Sequence, residues 1–376
     1  MEERPGTPYW RWVKGEGLPD YGGHGLEDVR ELELAPWPRL GGRGAIVGFE
    51  GMEGYTGMYV AEIPPGGSTN PERHIYEELV VIVQGHGITE LWQDGGAKQS
   101  FEWGEYSLFA PPVNTWHRLH NGTQQPVRYV AMTSAPLIMD LFDNPEFVFN
   151  CDFQFSGRYD SRDGFFKESD NRYVHGRTTN LWVTNFIADL LHAAVDAQEV
   201  KGAGTKITQF EPCGNALIGH IVDWPAGRYH KAHYHGGGAV LFALRSEGYV
   251  LLWPKELGVH PYSDDSGDDV VEMKWKKGSL YCPPSGWFHQ HFNTSGEPAR
   301  QVALRYGSRL HPLEFELVAK RRDLEGVLVS IRNGGTMIDH EDEDPQIRQR
   351  FEAELRRNGV GCTMPPVTYR SDLVLV

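Results

Sequence analysis

Three histidines in the second half of the chain have the types and spacing to hold a metal ion. His233 and His235 stand one residue apart in Gly227-Arg-Tyr-His-Lys-Ala-His-Tyr-His, and side chains at i and i+2 of a strand share a face. His289 follows a Pro-x-Gly turn in Pro284-Ser-Gly-Trp-Phe-His, and turn residues there can bring it back onto the first pair. A lone histidine is usually a surface residue or a satisfied core group, and His220, His230 and His260 are read that way. Three at matched positions suggest ligands for a divalent metal. His291, two residues beyond His289, would face the same side of a strand, for acid or base work or for packing alone.

The stretches Gly227 to His235 and Gly278 to Asn293 resemble, in both halves at once, the two motifs of the cupin superfamily, G-x5-H-x-H and G-x5-P-x-G-x2-H-x3-N. The resemblance implies a small β-barrel with His233, His235 and His289 as metal ligands. One ligand departs from the pattern, because the family's usual glutamate falls in Gly236 to Val240, where Ala239 fills the slot. Three neutral imidazoles leave the metal its full double charge, which favours an anionic, chelating substrate.

Gentisate-type ring-cleaving dioxygenases of the superfamily share the three histidines, the apolar slot and a His-x-His-x-Asn run like His289 to Asn293. This resemblance implies a dioxygenase that uses Fe(II) and O2 on an aromatic or enolisable small molecule; imidazole ligands also accept Mn, Cu, Ni or Zn. In that group the working site lies in the amino-terminal barrel, whereas here the intact triad is carboxy-terminal. A manganese lyase or decarboxylase, an isomerase and a non-catalytic small-molecule binder are the alternatives. Phe242, Tyr281, Trp287 and Arg305 are the inward candidates for a substrate pocket, with Arg305 as a bidentate partner for a carboxylate.

The first half carries the same design in altered form. Val83 to Trp92 aligns without a gap on Leu244 to Trp253, and the register sets Glu72 on His233, His74 on His235 and Glu78 on Ala239. His117 falls on His289, and Asn114 stands where the turn glycine belongs. A site of His74, Glu78 and His117, with Glu72 as a fourth ligand, would suit a harder metal such as manganese. The competing reading makes the barrel structural and both glutamates surface or salt-bridged carboxylates. Glu77 should face the other side of its strand.

Two barrels must position these residues, and 376 residues suit two domains. The fold class expected is mainly all-β, with tandem cupin barrels and a few peripheral helices. An irregular arm over 1–45 should bury Trp10, Trp12 and Trp37. A first barrel over 46–135 is built from alternating runs such as Met58 to Ile63, Leu79 to Val83, Thr89 to Trp92, Glu105 to Phe109 and Val127 to Met132. A linker over 136–208 is predicted to hold helices at 136–142 and 185–195. Its polar and aromatic part, 153–180, with Arg158, Arg162, Arg172 and Arg177, reads as linker, lid or dimer contact with solvated charges. A second barrel spans 209–310, and a tail over 311–376 carries an amphipathic helix between Asp344 as cap and Gly359 as stop.

Composition narrows the partners. Forty-four glycines and 40% hydrophobic residues fit a turn-rich β protein, and the net charge of −15 argues against nucleic acid and anionic membranes. Four scattered cysteines suggest no disulfide framework. With no signal-peptide core and no run of 18 apolar residues, a cytoplasmic location is expected, in a homo-oligomer.

Overall fold

The structure, a computed structural model, describes residues 6–52, 54–175, 179–197, 201–202, 204–236, 238–263, 266–311, 329–370 and 372–373. Each half of the chain folds into a large and a small sheet that enclose a core. In the first half the large sheet runs Asp20–Tyr21, Gly42–Val47, Gly57–Ile63, Val127–Thr133, Glu78–Gln84, Leu108–Phe109, Phe186–Ile187. Its small sheet runs Trp116–His120, Gly87–Trp92, Gln99–Trp103. In the second half the large sheet runs Arg172–His175, Thr179–Val183, Lys206–Glu211, Leu217–Trp224, Ala299–Tyr306, Val240–Arg245, Leu280–Tyr281, Gly25–Leu26, and the small one Val271–Lys276, Glu247–Pro254, Trp287–Asn293. The architecture is thus mainly β, a pair of barrels with a few peripheral helices.

Residue pattern follows position in the sheets. Val127–Thr133 is paired on both edges and covered on both faces, and it is apolar almost throughout. Gln99–Trp103, at an edge with one face in water, alternates. In the second barrel the same alternation sorts Val222, Trp224, Leu241, Ala243, Tyr281 and Ala303 into the interior. Their neighbours Ile221, Val240, Phe242, Leu280 and Val302 pack instead in the core shared with the first barrel.

The amino-terminal arm is not irregular, as its composition suggested. Thr7 caps a helix over Pro8–Glu16; then Asp20–Tyr21 pairs in parallel with Gly42–Val47 of the first barrel, and Gly25–Leu26 crosses to pair with Leu280–Tyr281 of the second. Trp37 is buried, whereas Trp10 and Trp12 are only partly covered. The segment 185–195 is a strap, not the expected helix, and it mirrors that arm. Thr179–Val183 pairs in parallel with Lys206–Glu211 of the second barrel, and Phe186–Ile187 crosses to Leu108–Phe109 of the first. The two crossing strands stand at the sequence offset that sets Glu72 on His233, so they are one element of the repeat.

An arginine pins each strap. Arg128, ion-paired with Glu62 at 2.8 Å, donates to the carbonyls of Val29, Arg30 and Leu32. Arg300, ion-paired with Asp223 at 2.6 Å, donates to those of Leu190, Leu191 and Ala193. Carbonyls given to a guanidinium are not available to a helical ladder. Ile187 and Leu190 therefore bury from an extended strap, and their helix-like spacing is incidental.

Arg158 is half-buried between the barrels, where it bonds Glu77 at 2.7 Å and Asn215 at 2.6 Å, so its charge is not a solvated one. Arg172 stacks over Trp182 at 3.8 Å, Arg162 is exposed, and Arg177 lies outside the described residues. The expected helices appear at Ala135–Phe142 and Pro345–Arg357, joined by a short one at Pro145–Asn150. In the tail helix Ile347, Phe351 and Leu355 bury against the outside of the second barrel, and the Asp344 side chain accepts from Gln346 N at 2.9 Å. Its acidic run does more than oppose the helix dipole. Glu343 is buried and accepts from Tyr229 and from Gln290 at 3.0 Å, while Asp342 is paired with Arg332. All four cysteines are free, and among the described residues no helix is long and apolar enough to cross a membrane.

Two candidate metal centres

In the second barrel His289 and His291 lie on Trp287–Asn293, opposite Leu252 and Val250, and face the interior. His233 is not in a regular strand, as the i, i+2 argument supposed. It lies in an extended stretch bridged to His289 on one side and to Met337 of the tail on the other. Backbone bonds of 2.9 and 3.2 Å join His233 to His289, and Gly286 N donates to His235 O at 3.1 Å, which locks the turn onto the histidine pair. Gly286 makes that turn with φ 71°, a backbone state that glycine adopts at no steric cost.

The donor nitrogens of His233, His235 and His289 lie within 4.8 Å of one another. Each ring turns Nδ1 to a backbone carbonyl, of Lys231 at 3.2 Å, Gly236 at 3.2 Å and Trp287 at 3.3 Å respectively. A carbonyl only accepts, so Nδ1 carries the proton and Nε2 offers its lone pair. His233 Nε2 is buried without a hydrogen-bond partner, a costly state unless something electron-poor meets it. Burial, more than the neighbouring positive charges, holds His233 and His289 well below the usual imidazole range and takes His235 to about 3. Neutral, converging and held in one tautomer, the three rings fit a divalent metal. The slot for a fourth ligand holds buried Ala239.

Other expected site residues divide. Tyr281 is inside, its hydroxyl donating to Gln301 Oε1 at 2.6 Å and lying 2.9 Å from His291 Nδ1. With its proton given to Gln301, the hydroxyl accepts from His291, which leaves His291 Nε2 as a base. Trp287 is partly exposed, 6.0 Å from the ring of His24. Arg305 shares the inward parity of Gln301 and Ala303 and donates to Gln209 at 3.3 Å. Phe242 does not line the interior: strand alternation turns it outward, 6.5 Å from the ring of Tyr106 in the core between the barrels.

Two histidines expected to be bystanders are inside. His220 pairs in register with inward-facing Ala303. His230 is buried with neither ring nitrogen hydrogen-bonded, 4.5 Å from Trp224 and 5.6 Å from His291. His260 is partly exposed in a loop, as expected. Sequence reasoning passed over Lys201. It is 9% exposed, and its backbone carbonyl accepts from Lys231 N at 2.8 Å, beside the ligand stretch. No motif marks a single lysine in a linker, and only the chain's return to the barrel places it there.

The first barrel gathers His74, Glu78 and His117, with ligand atoms again within 4.8 Å of one another. His74 Nδ1 meets Tyr76 O at 2.9 Å and His117 Nδ1 meets Thr115 O at 3.0 Å, and both Nε2 atoms are buried without hydrogen-bond partners. Glu78 Oε2 lies 3.7 and 3.6 Å from them, and its other oxygen accepts from Tyr59. Burial works to raise the Glu78 carboxyl, but the close imidazoles of His74 and His117 and the bond from Tyr59 hold it below its usual value.

Glu72 stands at the rim. One oxygen is 3.9 Å from His117 Nε2, while the other pairs with Arg39 at 2.5 Å, so it lies outside the convergent set. Asn114 takes the place of the turn glycine with φ 54°, and its Nδ2 donates to Cys151 O and Phe153 O. Glu77 faces away from the centre, accepting from Arg158, Ala216 N and Leu217 N. His74, Glu78 and His117 are at most 3% exposed, whereas His235 of the second centre is only partly buried, so access favours the second barrel.

Residues 59–133 match the family model described as a cupin domain. No curated protein sequence matches the chain. Among solved structures the chain is similar to oxalate decarboxylase of Bacillus subtilis. A form with tryptophan replaced by tyrosine is 13% identical over 80% of this chain and 84% of that one, with a TM-score of 0.47. A form with a four-residue segment replaced is 12% identical over the same shares, with a TM-score of 0.48. Likeness so distant bears on neither substrate nor reaction.

Proposed function

We propose that the chain, with a cupin-domain match in its first barrel and the same strand arrangement in its second, is a metal-dependent enzyme acting on a small, anionic, chelating molecule at the three-histidine centre of the second barrel. The observation that carries this reading is the set of three inward Nε2 donors, His233, His235 and His289, with no carboxylate among them. A divalent metal bound there keeps its full charge, polarises substrate oxygens and, when redox-active like Fe(II), opens chemistry with O2.

The remaining roles fall to protein groups. Arg305 receives a substrate carboxylate, Trp287 covers the substrate, and His291, its proton fixed on Nδ1 by Tyr281, takes a proton at Nε2. Dioxygenation of an aromatic or enolisable acid is the reaction this donor set suits best. A second reading, a manganese lyase or decarboxylase, is favoured by one observation, the ligand set of two imidazoles and a carboxylate in the first barrel.

Paired variants test the assignment. His233→Ala with His235→Ala should abolish turnover, whereas His74→Ala with His117→Ala should lower metal content or stability and preserve turnover per folded chain. Loss of activity only with the first-barrel pair would move the working site to His74, Glu78 and His117. Oxygen uptake against anaerobic CO2 release, across a panel of hydroxy and oxo acids, then separates the two reactions.

A further inference from the structure

Behind the three-histidine centre, the interior of the second barrel gathers hydrogen-bond donors that meet no acceptor. Trp224, His230, Trp275 and Gln301 are at most 2% exposed. Among the described residues, nothing bonds either indole N–H, Gln301 Nε2 or the two ring nitrogens of His230. These groups lie together. The ring of Trp224 is 4.5 Å from His230 and 5.8 Å from Trp275, and His230 is 5.6 Å from His291. His291 in turn stands 5.5 Å from the ligand His289 and is joined to Gln301 through the Tyr281 hydroxyl, so the cluster is continuous with the metal centre.

The first barrel closes the same place with its own groups. Trp103 stands opposite Gly87 as Trp275 stands opposite Gly248, and in each case the Cζ2 edge of the indole lies over the glycine. Trp103 Nε1 donates to Thr89 Oγ1 at 2.9 Å. In the second barrel Val250 takes the place of Thr89, so the Trp275 N–H loses its acceptor and faces the space beside His291, which is opposite Val250. The same correspondence sets Tyr281 on Phe109 and His291 on Leu119, so apolar positions of one barrel are polar in the other. Buried donors without acceptors are costly, and several in one place point to an acceptor that arrives from outside. On the reading that this centre is the working one, we propose that the donor cluster receives the far end of a metal-held substrate, and that this end carries a carbonyl-type oxygen, of a ketone, amide or ester. Indole and amide donors bear no charge, so they match a neutral oxygen better than a second carboxylate, whose burial they would not offset.

The test uses full-length protein loaded with redox-silent zinc and titrated calorimetrically with linear alkyl hydroxamates, which chelate the metal, and with the same compounds bearing a ketone near the far end. At the chain length that reaches the cluster, the ketone should bind about tenfold or more tighter than its alkyl partner. Val250→Thr gives Trp275 the acceptor that Thr89 gives Trp103, and should narrow that preference to about threefold or less at unchanged zinc content and unchanged alkyl affinity. Equal binding of ketone and alkyl probes at every length, or a preference untouched by Val250→Thr, overturns the inference. Where Val250→Thr fails to fold by circular dichroism, Trp275→Phe carries the same comparison. Zinc uptake no greater in wild-type protein than in His233→Ala with His235→Ala defeats the metal reading itself, whereas normal uptake without a ketone preference defeats only this inference.

Discussion

Buried ammonium groups are unfavourable, and Lys201 is held down to about 8 by burial and by Arg305. Its folded value lies below its unfolded one, so the charged lysine lowers stability in full below pH 8 and not at all above its ordinary value of 10.5. Lys201→Met in metal-free protein should therefore gain on the order of 2 kcal/mol at pH 7, and the gain should shrink as the pH rises toward 10.5. Urea denaturation at both pH values reads this directly, and identical curves at pH 7 would contradict it. Ala239 makes a second residue-scale prediction, because it occupies the place that Glu78 holds in the first barrel. Ala239→Glu should keep the metal and cut turnover by roughly tenfold or more, since the added carboxylate takes a substrate position and cancels charge; unchanged turnover means that residue 239 does not face the metal. The convergence of His233, His235 and His289 was legible in sequence because His-x-His and Pro-x-Gly-x2-His encode a turn as well as donors. Phe242 was misplaced by one step of strand parity, and Lys201 was invisible because its position depends on how a linker folds back.

Strands of alternating or continuous apolar residues were legible, but elements held by capture of their backbone were not. In segment 185–195 the apolar spacing satisfies a helix and a strap equally. What decides between them is Arg300, which lies 110 residues beyond Leu190 in the chain and so leaves no trace in the local pattern. The two turns that deliver His117 and His289 show the same repeat solved with different residues. At Gly286, where φ is 71°, a Cβ would meet nothing within 4 Å, so Gly286→Asn should cost less than about 1 kcal/mol. Asn114→Gly relieves backbone strain at φ 54° yet loses the bonds to the Cys151 and Phe153 carbonyls. A net loss of about 1–2 kcal/mol is expected, read by thermal denaturation. A stabilised Asn114→Gly would mean that the side-chain bonds contribute nothing.

At the scale of the whole molecule, neither barrel is finished by its own sequence. Gly25–Leu26 precedes the first barrel and completes the second, while Phe186–Ile187 precedes the second and completes the first. Halves made as separate chains, cut between Asp163 and Gly164 in an exposed turn, should accordingly co-purify when expressed together and aggregate when expressed alone, because each leaves an unpaired sheet edge. Two well-behaved independent halves would refute the exchange. The arrangement also speaks to ancestry. A single-repeat forebear carrying the same strap would have had no second barrel within its own chain to cross to, and two copies would have exchanged straps about a twofold axis. Fusion of two such copies preserves every crossing while freeing the copies to differ, so that one could lose its carboxylate and the other its first histidine without either losing its fold.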